Sequence, residues 1–125
     1  TYTAAKVILA LMEEGRSVGV TSNSHKAILN LMGEVCKQGG AGVKATKVGG
    51  DADDPVLERY PQIQFVKTAK DAVGAYPGEM VGGTAWFFAQ RGMAGQLDYL
   101  FVDEAGQVSV ANLVGVAPSA RNLIL

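Results

Sequence analysis

A short apolar run, Tyr99 to Val102, constrains the fold more than any other stretch of the chain. Such a run is typical of a parallel strand with helices packed on both of its faces. Two acids, Asp103 and Glu104, follow it directly. Adjacent carboxylates at the end of a buried strand are costly unless something pairs with them, and ligands of open α/β sheets bind at the carboxyl ends of strands. The stretch therefore predicts either a magnesium and phosphate site or a strand that ends in a solvated acidic turn.

The rest of the chain alternates helices with short strands, which predicts an α/β fold around a parallel sheet. Apolar residues at helical spacing predict one helix over about residues 2–14 and a second from the N-cap Ser24 to the pair Gly39-Gly40. Between these helices, Ser17 to Thr21 is predicted to be a strand. Further strands are predicted at 43–48, 63–66, 80–84, 99–102 and 122–125. A short helix is predicted at 68–76, and helices or turns at 85–90 and 108–116.

Composition limits the classes of function. The 125 residues are 48% apolar, enough for one domain with a core, and the net charge of −1 gives no overall basic signal for nucleic acid. Lys26, Lys44 and Lys47 could still form a small basic face. One histidine, His25, and one cysteine, Cys36, cannot build the usual zinc, acyl-transfer or redox sites. A single thiol without a secretory signal predicts a cytoplasmic protein with Cys36 in its packing, and no apolar run is long enough to span a membrane.

Two other clusters have more than one interpretation. The aromatic residues Trp86, Phe87 and Phe88 could stack on nucleic-acid bases, although an aromatic cluster beside a strand is more often core. The acids at 51–54 could suggest calcium, but their spacing lacks the glycine and the terminal glutamate of a calcium-binding loop. We therefore expect a solvated surface there.

Three polar stretches follow one another in a fixed order: Thr21 to Ala27, Gly82 to Ala85, and Asp103 to Gln107, with Asn-Leu-Ile-Leu some fifteen residues later. Asp-Glu-Ala alone occurs in many P-loop ATPases, but the ordered set is more specific. It resembles the first RecA-like domain of a superfamily 1 helicase, and most closely the branch with the nonsense-mediated-decay RNA helicase and related DNA helicases. Bacterial members of that branch are sometimes joined to a RecB-like nuclease. The resemblance covers nearly the whole chain.

The resemblance implies a RecA-like P-loop NTPase fold, a three-layer sandwich with a mostly parallel sheet. Residues 1–125 would form part of this domain, from just after the Walker A motif to just before motif III, so we expect an excised segment of a longer protein. The intact protein would use ATP and Mg²⁺ to move along single-stranded DNA or RNA. A second RecA-like domain outside the chain, and possibly a fused nuclease domain, would be its partners.

The resemblance also implies roles for single residues. Thr1 and Asp103 would hold Mg²⁺, Glu104 would orient and deprotonate the attacking water, and Gln107 would link this motif to the next. Hydroxyls, an amide and a helix start suit the phosphate oxygens of a nucleic-acid backbone. The residues with this implied contact are Thr21, Ser22, Asn23, Ser24, His25, Lys26 and Thr84.

Three alternatives stay open. The chain could be a nucleic-acid-binding module with a degenerate ATPase, a non-helicase P-loop ATPase such as a transporter subunit, or a purely structural α/β domain. The transporter signature Ser-Gly-Gly-Gln is missing before Asp103, and the order of the three stretches disfavours a structural domain. Ser24 would cap its helix in every case, His25 could simply be solvated, and Thr84 could bond only to a neighbouring carbonyl.

Overall fold

A computed structural model describes residues 2–68, 78–103 and 110–125 of the chain. In these ranges six strands form one sheet with the order β3-β2-β4-β1-β5-β6, and all paired neighbours are parallel. The strands are β1 (Val18–Thr21), β2 (Ala45–Val48), β3 (Ile63–Val66), β4 (Met80–Gly82), β5 (Leu97–Val102) and β6 (Ala120–Ile124). The helices are α1 (Tyr2–Glu13), α2 (His25–Gly39), α3 (Pro55–Arg59), α4 (Ala85–Phe88) and α5 (Val110–Val116). The predicted α/β class with a parallel sheet is confirmed.

Helices cover both faces of the sheet because neighbouring residues of a strand point to opposite sides. On β1, Val18 and Val20 pack into a core that also contains apolar residues of α1 and α2. A second core on the other face contains Leu100 of β5, Phe88 of α4 and Val116 of α5. The central strands are therefore buried on both sides, as the apolar run at 99–102 predicted.

The helix ends follow the chemistry expected from the sequence. Ser24 caps α2, because its Oγ accepts a hydrogen bond from the backbone N–H of Ala27 at 3.1 Å. Gly40, with φ of 76°, ends the same helix, and Gly15, with φ of 80°, follows α1. Positive φ angles favour glycine because it has no Cβ, so the stop predicted at Gly39-Gly40 is confirmed.

Strand β5 begins at Leu97, two residues earlier than predicted, because Asp98 has a partner on the neighbouring strand. The Asp98 carboxylate accepts a hydrogen bond from the Ser17 N–H at 2.9 Å, and the Asp98 N–H donates to Ser17 Oγ at 3.1 Å. These bonds join the amino ends of β1 and β5, so a polar residue fits inside the strand. The helix predicted at 68–76 lies outside the described residues, apart from Thr68.

Gly19 is a position in the sheet that has no room for a side chain. A Cβ there would lie 2.5 Å from Leu97 Cδ1 and 2.9 Å from both Leu100 Cδ1 and Phe88 Cε1. We predict that Gly19→Ala lowers the free energy of unfolding by about 1–3 kcal/mol, the usual cost of overpacking. Gly42→Ala is the matched control, since a Cβ at Gly42 meets nothing within 4 Å. Urea unfolding of both variants tests this, and equal stabilities would contradict it.

Candidate functional site at the carboxyl edge of the sheet

The polar stretches meet at one edge because the described strands all run in the same direction. Strands β1, β4 and β5 end at Thr21, Gly82 and Val102, and the predicted site residues follow directly. The order places β1 between β4 and β5, so the first stretch lies between the other two. This is the edge where open α/β sheets bind their ligands.

Asp103 stands at the end of β5, facing the start of α1. Its N–H donates to the carbonyl of Thr21 at 2.9 Å, which extends the β1–β5 pairing by one residue. The half-buried Asp103 lines a cavity of about 290 Å³ together with Thr3 and Ala4 of α1 and with Ile124 and Leu125. We call this the β5–α1 cavity. Thr1, Glu104 and Gln107, the other residues implied in ATP hydrolysis, lie outside the described ranges.

Asp103 carries the one side-chain carboxylate among the described residues that line the β5–α1 cavity, and apart from Thr3 the other lining side chains are apolar. In the described ranges, no three His, Cys, Asp or Glu side chains form a group that could hold a metal. Mg²⁺ at a nucleotide needs fewer protein ligands, because phosphate oxygens and water supply most of its shell and one or two carboxylates suffice. Asp103 is a carboxylate of this kind.

A second cavity, of about 410 Å³, brings together the first two polar stretches. Ser22 and Asn23 after β1 and Thr84 after β4 line it, with Trp86 of α4 beside them. Helix α5, which sequence reasoning did not connect with the site, closes another side with Asn112. We call this the β1–β4 cavity. Ser22 Oγ donates to Asn23 Oδ1 at 3.3 Å, so these two side chains are held next to each other.

Thr21 carries a buried hydroxyl that lacks a hydrogen-bond partner. The residue is 3% exposed, and Oγ1 is an unsatisfied buried polar atom of the described side chains. An inner cavity of about 50 Å³ adjoins the β1–β4 cavity. Its lining includes Thr21, Ser22, Asn23 and Asn112, and all of these except Thr21 also line the β1–β4 cavity. An unpaired buried hydroxyl costs about 1–3 kcal/mol. The unpaired buried hydroxyl therefore belongs to a residue that lines the inner cavity.

His25 and Lys26 belong to a different environment, the loop that follows β2. Lys47 Nζ donates to His25 Nδ1 at 2.8 Å, to the Gly49 carbonyl at 2.7 Å and to the Val48 carbonyl at 3.1 Å. Lys26 Nζ lies 3.5 Å from Asp54 Oδ2. The structure therefore separates His25 and Lys26 from the β1–β4 cavity, although they follow Ser22 and Asn23 in sequence.

The suggestion that Lys26, Lys44 and Lys47 could form a basic face is wrong for Lys47, because its side chain is completely buried. Burial lowers the pKa of Lys47 from 10.5 to about 8, and the charge of Asp54 opposes this shift. Burial, followed by the charge of Lys47, lowers the pKa of His25 below 6.5. The imidazole is therefore neutral at pH 7, and it must carry its proton on Nε2 because Nδ1 accepts from Lys47. Lys47 and His25 thus join α2 to the loop after β2.

The aromatic cluster is divided between core and surface. Phe87 and Phe88 are 2% and 1% exposed and pack edge-to-face with ring centroids 5.0 Å apart, which confirms a core role for both. Trp86 is 78% exposed. Cys36 is buried, and burial raises its pKa to about 11, as expected for a packing residue.

No protein-family model, curated protein or solved structure matches the chain. The resemblance to helicases therefore depends on the three sequence stretches alone. None of the helices in the described ranges is long and apolar enough to cross a membrane.

The buried Lys47 predicts a pH dependence of stability. Its folded pKa of about 8 lies below the ordinary 10.5, so between these values the unfolded chain binds the proton that the folded chain has lost. Stability from this group therefore rises as pH increases through that window. We predict that the free energy of unfolding of wild type, minus that of Lys47→Met, increases from pH 8 to pH 10. Urea titrations at several pH values measure this difference, and a constant difference would contradict the prediction.

Proposed function

We propose that the chain forms part of the ATP-binding motor domain of a superfamily 1 helicase, which couples ATP hydrolysis to movement along DNA or RNA. One observation carries the proposal. Asp103 and the start of α1 line one cavity, while Ser22, Asn23 and Thr84 line another at the same sheet edge. Such a motor requires a nucleotide site and a nucleic-acid site on one rigid sheet, because ATP hydrolysis at the first site must change the contacts at the second.

The β5–α1 cavity is the proposed nucleotide side. Asp103 and Thr1 would hold Mg²⁺, which neutralises charge on the β- and γ-phosphates when it is bound. Glu104 would take the proton of the attacking water, and Gln107 would connect the site to the next motif. The Asp103 N–H donates a hydrogen bond to the Thr21 carbonyl. A movement of Asp103 at the nucleotide would therefore move the end of β1.

The β1–β4 cavity is the proposed nucleic-acid side. Ser22, Asn23 and Thr84 offer hydroxyl and amide groups that bind phosphate and sugar oxygens without reading sequence. Ser24 instead uses its hydroxyl as the cap of α2, and His25 is engaged by Lys47. Lys26, with a side chain 60% exposed, can leave its weak surface pair with Asp54 for a phosphate.

The proposal places further components outside this chain. An arginine from a second RecA-like domain would complete charge stabilisation during hydrolysis. The phosphate-binding loop and its lysine would precede Thr1. A fused nuclease domain is a further proposed neighbour.

Without a phosphate-binding loop, the 125-residue chain should not hydrolyse ATP. We predict no release of phosphate above the buffer rate, with or without single-stranded DNA, because nothing in the sequence cradles the β- and γ-phosphates. A coupled phosphate-release assay measures this. Turnover that disappears in Asp103→Asn would show that the chain is itself an ATPase and would contradict the prediction.

In the full-length protein, Glu104→Gln should reduce ATP turnover by about 10²–10⁴, the usual weight of a general base. ATP affinity should change little, because the amide has nearly the size of the carboxylate but cannot take up a proton from water. Glu58→Gln on α3, which removes an exposed carboxylate away from both cavities, is the control. Unchanged turnover in Glu104→Gln would remove Glu104 from the site.

A nucleic-acid-binding module with a degenerate ATPase is the second candidate. The observation in its favour is the β1–β4 cavity with the unpaired Thr21 hydroxyl, since neither depends on Asp103. Such a protein would bind single strands and leave ATP unchanged. A Gly-x-x-Gly-x-Gly-Lys sequence just before Thr1 favours the enzyme, and its replacement by another sequence favours the binding module.

A further inference from the structure

We propose that Trp86 stacks on a base of the bound single strand, so that the β1–β4 cavity holds one whole nucleotide and not only its backbone. This inference rests on the proposed nucleic-acid function of the same cavity. The ligand class that the cavity would select is a nucleotide of an unpaired strand, because its base is free to leave the stack of neighbouring bases. A duplex cannot offer such a base without first unpairing it.

The exposure of Trp86 is the first support. Tryptophan is highly buried on average, yet 78% of Trp86 faces solvent, while its neighbours Phe87 and Phe88 are in the core. Phe87 packs against Gly83, where a Cβ would lie 3.0 Å from its ring, and Phe88 packs against Gly19 of β1. These two anchors fix α4 on the sheet, so the indole is presented from a rigid support.

The chemistry of the cavity is the second support. Ser22 and Asn23 line the cavity with a hydroxyl and an amide, and Thr21, whose hydroxyl is buried and unpaired, lines the adjoining inner cavity. These groups suit a sugar or phosphate oxygen. Trp86 offers a flat apolar surface, which suits a base of any sequence. The cavity thus combines polar groups with an aromatic ring. A nucleotide likewise combines a polar sugar and phosphate with an aromatic base.

The size of the cavity agrees with this ligand, and its described lining is uncharged. A volume of about 410 Å³ falls within the range of about 300–1,000 Å³ that small-molecule pockets occupy. Several of the other lining residues are small, including Ala85, Ala89 and Gly115. Among the described residues that line the cavity, none carries a carboxylate that would repel a phosphate.

Trp86 is the only tryptophan of the chain, so its fluorescence reports on its own surroundings. Excited at a wavelength that tyrosine does not absorb, the 125-residue chain should lose emission as an unlabelled oligothymidylate is added, because stacking on a base quenches the indole. Anisotropy of a fluorescein-labelled copy of the same strand should give the same affinity. Circular dichroism and thermal unfolding check that each variant is folded.

Variants then separate the base from the backbone. Trp86→Ala should weaken oligothymidylate binding by about 5- to 150-fold, the range for one stacked base, and Trp86→Phe should recover part of the loss. Tyr2→Ala, which removes another exposed aromatic residue away from the cavity, should bind like wild type. A strand with abasic positions should bind wild type more weakly by a similar factor, but should bind Trp86→Ala as well as the intact strand does.

The outcomes distinguish this inference from the function beneath it. If the strand binds while Trp86 emission stays constant and Trp86→Ala binds equally well, stacking is wrong and the backbone contacts stand. If abasic and intact strands bind wild type equally, stacking is also wrong. If the chain binds no single strand, or binds duplex as tightly, both the stacking and the proposed nucleic-acid side are overturned.

Discussion

The parallel direction of the described strands is the constraint on which the candidate site depends. Parallel strands end at the same edge of the sheet, so residues that follow different strands and are far apart in sequence become neighbours there. Thr21 and Asp103 are 82 positions apart, yet a backbone hydrogen bond of 2.9 Å joins them. The polar residues can be placed at this edge because the strands behind them are buried on both faces and do not shift.

Two cavities share this edge, and the strand β1 stands between them. Asp103 on one side and Ser22 and Asn23 on the other are connected through Thr21, whose carbonyl accepts from Asp103 and which itself lines the inner cavity. A single buried threonine therefore touches both parts of the proposed motor. Its unpaired hydroxyl is the kind of local cost that proteins retain at functional sites.

Much of the fold could be predicted because local chemistry and long-range packing agree. Apolar spacing located α1 and α2, Ser24 and Gly40 marked the ends of α2, and the run at 99–102 identified a strand covered on both faces. Asp98 was missed because its partner, Ser17, is far away in sequence. A polar residue inside a strand can be predicted only when the neighbouring strand is known.

The site was harder to predict than the fold. Lys47 lies two residues after Ala45 and four after Val43, and all three are buried. Alternation along the strand therefore predicts that Lys47 is buried, although its charge suggests an exposed side chain. Among three consecutive aromatic residues, the sequence could not show that Trp86 alone would face outward. Asn112 of α5 joins the cavity only because α5 packs beside α4, a tertiary contact without a local signature.

The arrangement at the sheet edge can be measured most directly with Mn²⁺–ATP, because Mn²⁺ replaces Mg²⁺ and broadens the NMR signals of nearby nuclei. With the proposed phosphate-binding loop joined before Thr1, we predict broadening centred on Asp103, Thr3 and Ala4, and much weaker broadening at the Ser17–Asp98 pair, which lies at the opposite edge of the sheet. Broadening centred away from Asp103, or none at concentrations of ATP that saturate the protein, would contradict it.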